Sequence, residues 1–403
     1  MRIWLFAATI AAAVPARADV VTDWNRFALP IVNPVGSAAG FREMALFNVA
    51  MFTAVNTIEP RHQPYKELRL DAVPGASKDA AAAVAAGRIL ARQHPEAAEK
   101  INAELKQQLE KAADRAGGPA SLEAGVALGE KVAALVWDMR ANDGANAPDT
   151  YRPRTAPGRY IPTAPVVSSQ YPKVAPFTMK SGAQFRPGPP QDLKSEAWAK
   201  TYNETKQYGK ASTTRTPEQT EVARFWMQTG PVTMFPVAIQ LSQSKGLDVN
   251  DNARLFALLA MAVTDAMVAV FDGKYHYEFW RPVTAIRNGD RDDNPKTERD
   301  AAWEPIGPTP MHPEYPCAHC ITSGASGAVL KSVFGSGPQA EFTLTSTTLP
   351  GVTRRWTSIE DFAREPNNAR IWAGIHYRFS TVVGYDMGVK IGEQALKGYL
   401  RPL

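Results

Sequence analysis

The nine residues HPEYPCAHC, 312 to 320, gather two histidines and both cysteines of a 403-residue chain. A C-x-x-C pair serves as a thiol redox couple, as half of a zinc site or as a short disulfide. Zinc is disfavoured, because no second Cys or His pair with ligand spacing accompanies Cys317 and Cys320. A thiol oxidoreductase would be set in a βαβ pattern, and none surrounds the motif. Pro316, small residues and a helix-forming run from Cys320 to Phe334 read instead as a loop feeding a helix N-terminus. Backbone N–H groups there point outward and the helix dipole favours an anion. His319 would stand at that end as proton donor or acceptor, although a lone histidine in such a place is more often structural.

Two further segments carry cations and a histidine. In KYHYEFWRP, Lys274 and Arg281 are seven residues apart, which on a continuous helix is two turns and nearly one face. In RIWAGIH, Arg370 and His376 would point to different faces of an unbroken helix, but Gly374 permits a break that lets both converge on one point. Surface cations at such spacings are usually solvated, so neither segment alone argues for function.

These residues need helices to position them. Apolar residues recur with a helical period from Phe41 to Ile58, punctuated by Arg42, Glu43 and Asn48. Ser77 caps an alanine-rich helix that stops near His94 and Pro95; a charged helix from about Glu96 reaches Gly117, and a fourth runs to about Ala141. Residues 145 to 192 are crowded with prolines and contain Tyr160, Tyr171, Phe177 and Phe185, which predicts an extended but ordered strap. Helical patterns return from Pro217 to Leu241, with a break at Gly230-Pro231, and from Asn250 to about Trp280. No alternating strand and no repeat is evident. The expected fold is all-α, a bundle of helices around one core, with residues 19–144, the strap at 145–192 and 193–403 forming one continuous domain.

Residues 1–18, with an apolar run from Ile3 to Val14 and Ala16-Arg17-Ala18 before Asp19, match a secretory signal cleaved after Ala18. A membrane anchor is the lesser alternative, since the run is too short to span a bilayer. The leader carries two of the 45 Lys and Arg and none of the 40 Asp and Glu, so the remainder has a net charge of +3. That balance gives no reason to expect nucleic acid. The apolar stretch 253–271 is interrupted by Arg254 and Asp265 and reads as a buried helix, so no membrane span is expected in the mature chain. A periplasmic or secreted location is the expectation, in a compartment where Cys317 and Cys320 could pair. The oligomeric state is not legible.

Together and in this order, the three segments resemble the signature of the vanadium haloperoxidase and type-2 phosphatidic acid phosphatase superfamily: K-x6-R-P, then P-S-G-H, then S-R-x5-H-x3-D. This chain supplies Lys274, Arg281 and Pro282; Pro316, Cys317, Ala318 and His319; and Arg370 and His376. The EFWRPV run, the AMFTAVNTI helix, the PGASKDAAAA helix start and the strap resemble the soluble haloperoxidase-type members rather than the multi-span lipid phosphatases. The resemblance is loosest between about 194 and 250.

The resemblance implies an oxyanion cavity in which Lys274, Arg281 and Arg370 neutralise the oxygens and backbone N–H groups near Cys317 and Ala318 complete the cradle. For a haloperoxidase it implies vanadate as cofactor with His376 as its ligand, hydrogen peroxide and halide as substrates, His319 handling protons and Lys274 polarising the peroxide. For an acid phosphatase it implies no cofactor, attack by His376 on phosphorus and protonation of the leaving oxygen by His319. A non-catalytic anion binder is the reading from another class. Four positions depart from the pattern: Cys317 and Ala318 stand for serine and glycine, Ala369 for the serine before Arg370, and Ser380 for the aspartate after His376. The tautomer of His376 is thereby left to Ser380 or to an acid elsewhere. A free Cys317 beside bound peroxide would be oxidised, which counts against a haloperoxidase unless Cys317 and Cys320 form a disulfide. On balance the sequence predicts halide oxidation with vanadate, ahead of phosphate ester hydrolysis.

Overall fold

A computed structural model describes residues 19–32, 38–66, 68–211 and 214–403; the leader and its cleavage point lie outside the described residues. The fold is all-α, as expected. Helices α1 (Val20–Val32), α2 (Ala38–Ile58), α3 (Lys78–Gln93), α4 (Ala98–Ala113) and α5 (Pro119–Arg140) form the N-terminal part. Helices α6 (Glu196–Gly209), α7 (Pro217–Phe225), α8 (Phe235–Lys245), α9 (Val249–Tyr277), α10 (Pro282–Arg287), α11 (Ala318–Phe334), α12 (Ile359–Trp372) and α13 (Arg378–Gly398) follow the strap.

Local chemistry accounts for the boundaries. The Ser77 hydroxyl accepts the Ala80 N–H at the start of α3, and Thr216 with Gln219 makes a reciprocal capping box on α7. The Asp248 side chain accepts the Asp251 N–H at the start of α9. Helix α9 is the axis of the molecule: from Ala253 to Lys274 nearly every side chain is buried. By length and composition it could cross a membrane, but its apolar window is wholly enclosed by protein. One hydrophobic core runs from Val20 to Leu400, with α2 and α11 packed against α9. Helices α11 and α13 approach closely because glycines line the seam; a Cβ on Gly388 would lie 2.0 Å from the Ile321 carbonyl oxygen.

The strap contains two 3-10 turns, Tyr171–Lys173 and Gly182–Phe185, and no regular element otherwise. It is ordered by two carboxylates of α9. Buried Asp265 accepts the N–H groups of Phe177 (2.6 Å), Thr178 (2.6 Å) and Met179 (3.1 Å) and the Thr178 hydroxyl (2.6 Å), and Asp272 takes a bidentate pair of bonds from Arg186.

Two expectations are corrected. A two-stranded antiparallel hairpin, β1 (Phe342–Thr345) with β2 (Thr353–Trp356), interrupts the helices. Its strands of four residues are too short to show alternation, and they are held by burial of Phe342, Leu344 and Trp356 and by the Gln240 side chain bonding Thr343 N–H and C=O. Helix α9 also ends before Trp280, with Glu278 in the left-handed region at φ 53°.

Candidate functional site

Three breaks in the helical bundle meet at one place. Lys274 ends on the last turn of α9, Arg281 is the N-cap of α10, His319 is in the first turn of α11, and Arg370 with His376 flanks the turn between α12 and α13. Lys274 and Arg281 do not share a helix face, because the left-handed turn at Glu278 separates them; they converge through the kink. The other break falls at Gly374, whose φ is +75° and which packs so tightly on Gly209 that a Cβ would lie 2.4 Å from the Gly209 carbonyl oxygen. Thr205 of α6 donates to the His376 carbonyl, fixing the turn from the far side.

The three cations are buried, with Lys274 0%, Arg281 1% and Arg370 1% exposed. Among the described residues none of them has a carboxylate within ion-pair distance. They donate instead to neutral groups: Lys274 to the carbonyls of Pro313 (2.9 Å) and Glu314 (2.7 Å), Arg281 to those of His312 (2.9 Å) and Ile375 (2.8 Å), and Arg370 to that of Trp226 (2.6 Å). Arg370 Nε is buried without a partner among the described residues. Burial and mutual repulsion hold the Lys274 ammonium well below the ordinary lysine value, and burial pulls both arginines down as well.

Burial disfavours the charged form of the three site histidines, His312, His319 and His376. Burial, and then the charges of Arg281 and Lys274, hold His376 well below the usual imidazole value. Arg281 can only donate, so the 3.2 Å contact of its NH1 with His376 Nε2 makes Nε2 the acceptor nitrogen. The proton then sits on Nδ1, which is 2.6 Å from Glu314 Oε1. Glu314 is wholly buried, and burial pushes its carboxyl up to about 7 against the lowering effect of Lys274 and Arg281. Ser380, on α13, lies close enough to favour the ionised carboxyl, but its hydroxyl and Glu314 Oε2 make no well-formed hydrogen bond. His319 Nε2 donates to the Gln228 carbonyl (2.9 Å), leaving Nδ1 as its acceptor, and burial keeps this ring neutral too.

A cavity of about 280 Å³ opens onto this cluster. It is lined by the polar or site residues His312, Ala318, His319, Thr322, Arg370 and His376 and by the apolar side chains of Phe41, Val167, Met267, Phe271 and Met311. Among the described residues no acceptor takes the Ala318 and His319 N–H groups that begin α11.

Cys317 and Cys320 form a disulfide. The place expected for the Cys317 side chain is corrected: both cysteines are 0% exposed and pack with Ala363 and Tyr385, away from the cavity. The Cys317 N–H is also committed, donating to Ser380 O at 3.3 Å. Donors for an anion on this loop therefore begin at Ala318.

Three contributions escape the sequence pattern. Glu314 and His312 lie inside HPEYPCAHC, and their types were the available signal. The segment Trp226–Gln228 after α7 supplies the carbonyls that hold Arg370 and His319, from the region where the resemblance is loosest.

The donor set suits an oxyanion. Buried cations without counter-ions are costly, and a bound anion offsets that cost. Among the described residues no three His, Cys, Asp or Glu side chains gather as a cage for a bare metal ion. Vanadate or phosphate fits, with His376, which lines the cavity, offering the Nε2 lone pair that Arg281 NH1 contacts at 3.2 Å.

Residues 254–402 match the family described as the VCPO second helical-bundle domain. The vanadium chloroperoxidase of Curvularia inaequalis is 28% identical over 272 residues, 52% of this chain and 43% of that protein, so the match spans less than half of the relative's length. Among solved structures, a bacterial vanadium-dependent iodoperoxidase superposes with a TM-score of 0.79 at 24% identity, over 95% of each chain. A holo-type bacterial vanadium-dependent chloroperoxidase gives 0.73 at 18%, over 94% of each. The structural likenesses establish the fold.

Proposed function

We propose that this chain is a haloperoxidase-type member of the superfamily that its three motif segments resemble, and that it oxidises halide with hydrogen peroxide using vanadate. The observation that carries the reading is the burial of Lys274, Arg281 and Arg370, with no carboxylate partner among the described residues, around His376.

Vanadate, when bound, supplies a Lewis-acidic centre that activates peroxide toward halide. The chain's own residues do the rest. His376 presents Nε2 as ligand, and the three cations with the Ala318 and His319 N–H groups neutralise and orient the oxyanion without reorganising. His319, neutral and with Nδ1 free to accept, takes a proton from incoming peroxide. The ring of Phe271, the thioether of Met267 and the other apolar side chains of the lining give the cavity an apolar wall beside the polar groups. The disulfide removes the one thiol pair that an oxidant there would consume. Hypohalous acid is the product.

The test uses protein stripped of oxyanions. Bromide oxidation by peroxide that depends on added orthovanadate supports the reading. Hydrolysis of an aryl phosphate that vanadate inhibits, with no bromination, overturns it in favour of a phosphatase; silence in both overturns it in favour of an anion binder. We place the protein in an exported, oxidising compartment, a reading supported by the leader pattern and the disulfide; amino-terminal sequencing of the mature protein, expected to begin at Asp19, tests it.

A further inference from the structure

We infer that Glu314 is the positioning residue of His376, holding the ring so that Nε2, and not Nδ1, faces the oxyanion. The inference rests on the oxyanion reading of the cavity and adds to it a part for a residue outside the cation set.

The geometry is specific. Glu314 Oε1 receives two donors, Nδ1–H of His376 at 2.6 Å and the N–H of Tyr377 at 3.1 Å. One oxygen thus fixes the ring and the backbone beside it, which defines the ring's rotation as well as its tautomer. The glutamate is itself immobile: its N–H donates to the Phe279 carbonyl at 2.8 Å and its carbonyl accepts Lys274 Nζ at 2.7 Å. The residue therefore links the end of α9, the Lys274 ammonium and the His376 turn. On the opposite edge of the imidazole, Arg281 NH1 donates to Nε2. Without the carboxylate, Arg281 would still oppose a proton on Nε2, but Nδ1–H would lose its acceptor and the ring's rotation its anchor, so the Nε2 lone pair would no longer be held toward the oxyanion.

A competing role for Glu314 is charge balance alone. The two differ in sign for two kinds of anion. Vanadate needs the nitrogen lone pair, whereas sulfate needs only the cations and N–H donors. A charge-balancing glutamate, once neutralised, would strengthen both anions alike.

The experiment measures vanadate and sulfate affinities of the wild type, Glu314→Gln and Glu314→Ala by equilibrium titration, with no turnover involved. The expected result is vanadate binding about tenfold to a hundredfold weaker in Glu314→Ala, with sulfate binding unchanged or tighter. Glu314→Gln, whose amide oxygen can still accept Nδ1–H, should fall between. Retained sulfate binding shows that the variant site is folded. If vanadate and sulfate affinities move together in both variants, the inference fails while the oxyanion site stands. If the wild type binds neither anion, the underlying reading fails, and the inference with it.

Discussion

Nδ1 of His376 and Oε1 of Glu314 stand 2.6 Å apart although the residues are 62 positions apart in the chain and lie at different helix junctions. The contact joins the loop before α11 to the turn before α13, so the nitrogen aimed at the cavity is placed by a segment that also carries His312 and leads into His319. Proton handling and anion binding are thus built on one loop, and changes to either should be separable by experiment.

Anion binding should be visible as stability. Because the three buried cations have no carboxylate partner among the described residues, sulfate or orthovanadate should raise the melting temperature in a concentration-dependent way. Arg370→Met should weaken oxyanion binding about tenfold to a hundredfold, the value of a lost hydrogen bond to a charged group. Without anion the same variant should melt no lower than the wild type, since repulsion on Lys274 is relieved. Thermal scans over a sulfate series check both; a variant with wild-type anion response would remove Arg370 from the site.

The pH dependence of binding follows from Lys274. In the anion-free protein its ammonium is held well below the ordinary value of 10.5 by burial, Arg281 and Arg370. An anion restores the charge, so binding takes up a proton. Sulfate affinity should be fully present below the anion-free lysine value and should fall as pH rises above it, already on the acid side of 10.5. Sulfate does not titrate in that range, which keeps the sign clean. Lys274→Met should bind more weakly and with a flatter profile; an unchanged slope by calorimetry would assign the proton to another group.

Much of this site was legible because the motif residues sit where helices end, and end signals are local. Gly374, Pro282 and the Ser77 cap act within a turn of their own position. The pairing of Lys274 with Arg281 was legible as a pair but not as a geometry: the left-handed turn at Glu278 is made by a residue type that seldom adopts it, so periodicity ran on past Tyr277. Glu314 was hidden differently. Its role depends on a contact across 62 residues, which no local pattern encodes, and only its presence as the single acid in HPEYPCAHC marked it. The hairpin at 342–356 was invisible because its strands are stabilised by a side chain of α8 rather than by their own alternation.

The disulfide should be dispensable for binding. Its sulfurs pack against Ala363 and Tyr385, away from the cavity. Cys317 Sγ also accepts the Cys320 N–H at 3.3 Å, as the helix cap. Closing so short a loop stabilises by about 2 kcal/mol. The Cys317→Ser/Cys320→Ser variant, which keeps a cap acceptor, should lose stability of that order in denaturant titrations while its sulfate affinity stays within about threefold, below 1 kcal/mol. A larger loss of affinity would mean that the loop's shape depends on the bridge.

Turnover should leave a chemical record in the cavity wall. Met267 and Met311 line the cavity, and Met311 is 44% exposed; Met227 places its sulfur 3.7 Å from Arg370 NH1. Hypohalous acid transfers its oxygen to a thioether, giving the sulfoxide and releasing halide and a proton, so thioethers nearest the source should be oxidised first. Peptide mapping after turnover with vanadate, peroxide and bromide should show sulfoxide at Met311, Met267 and Met227 ahead of methionines that neither line the cavity nor touch Arg370, such as Met139 on α5. The pattern should vanish when bromide is left out, which separates it from direct attack by peroxide. Met311→Leu, which keeps an apolar wall of similar size, should start at the wild-type rate and lose activity more slowly. Oxidation that follows exposure alone, with or without bromide, would mean that no oxidant is made in this cavity.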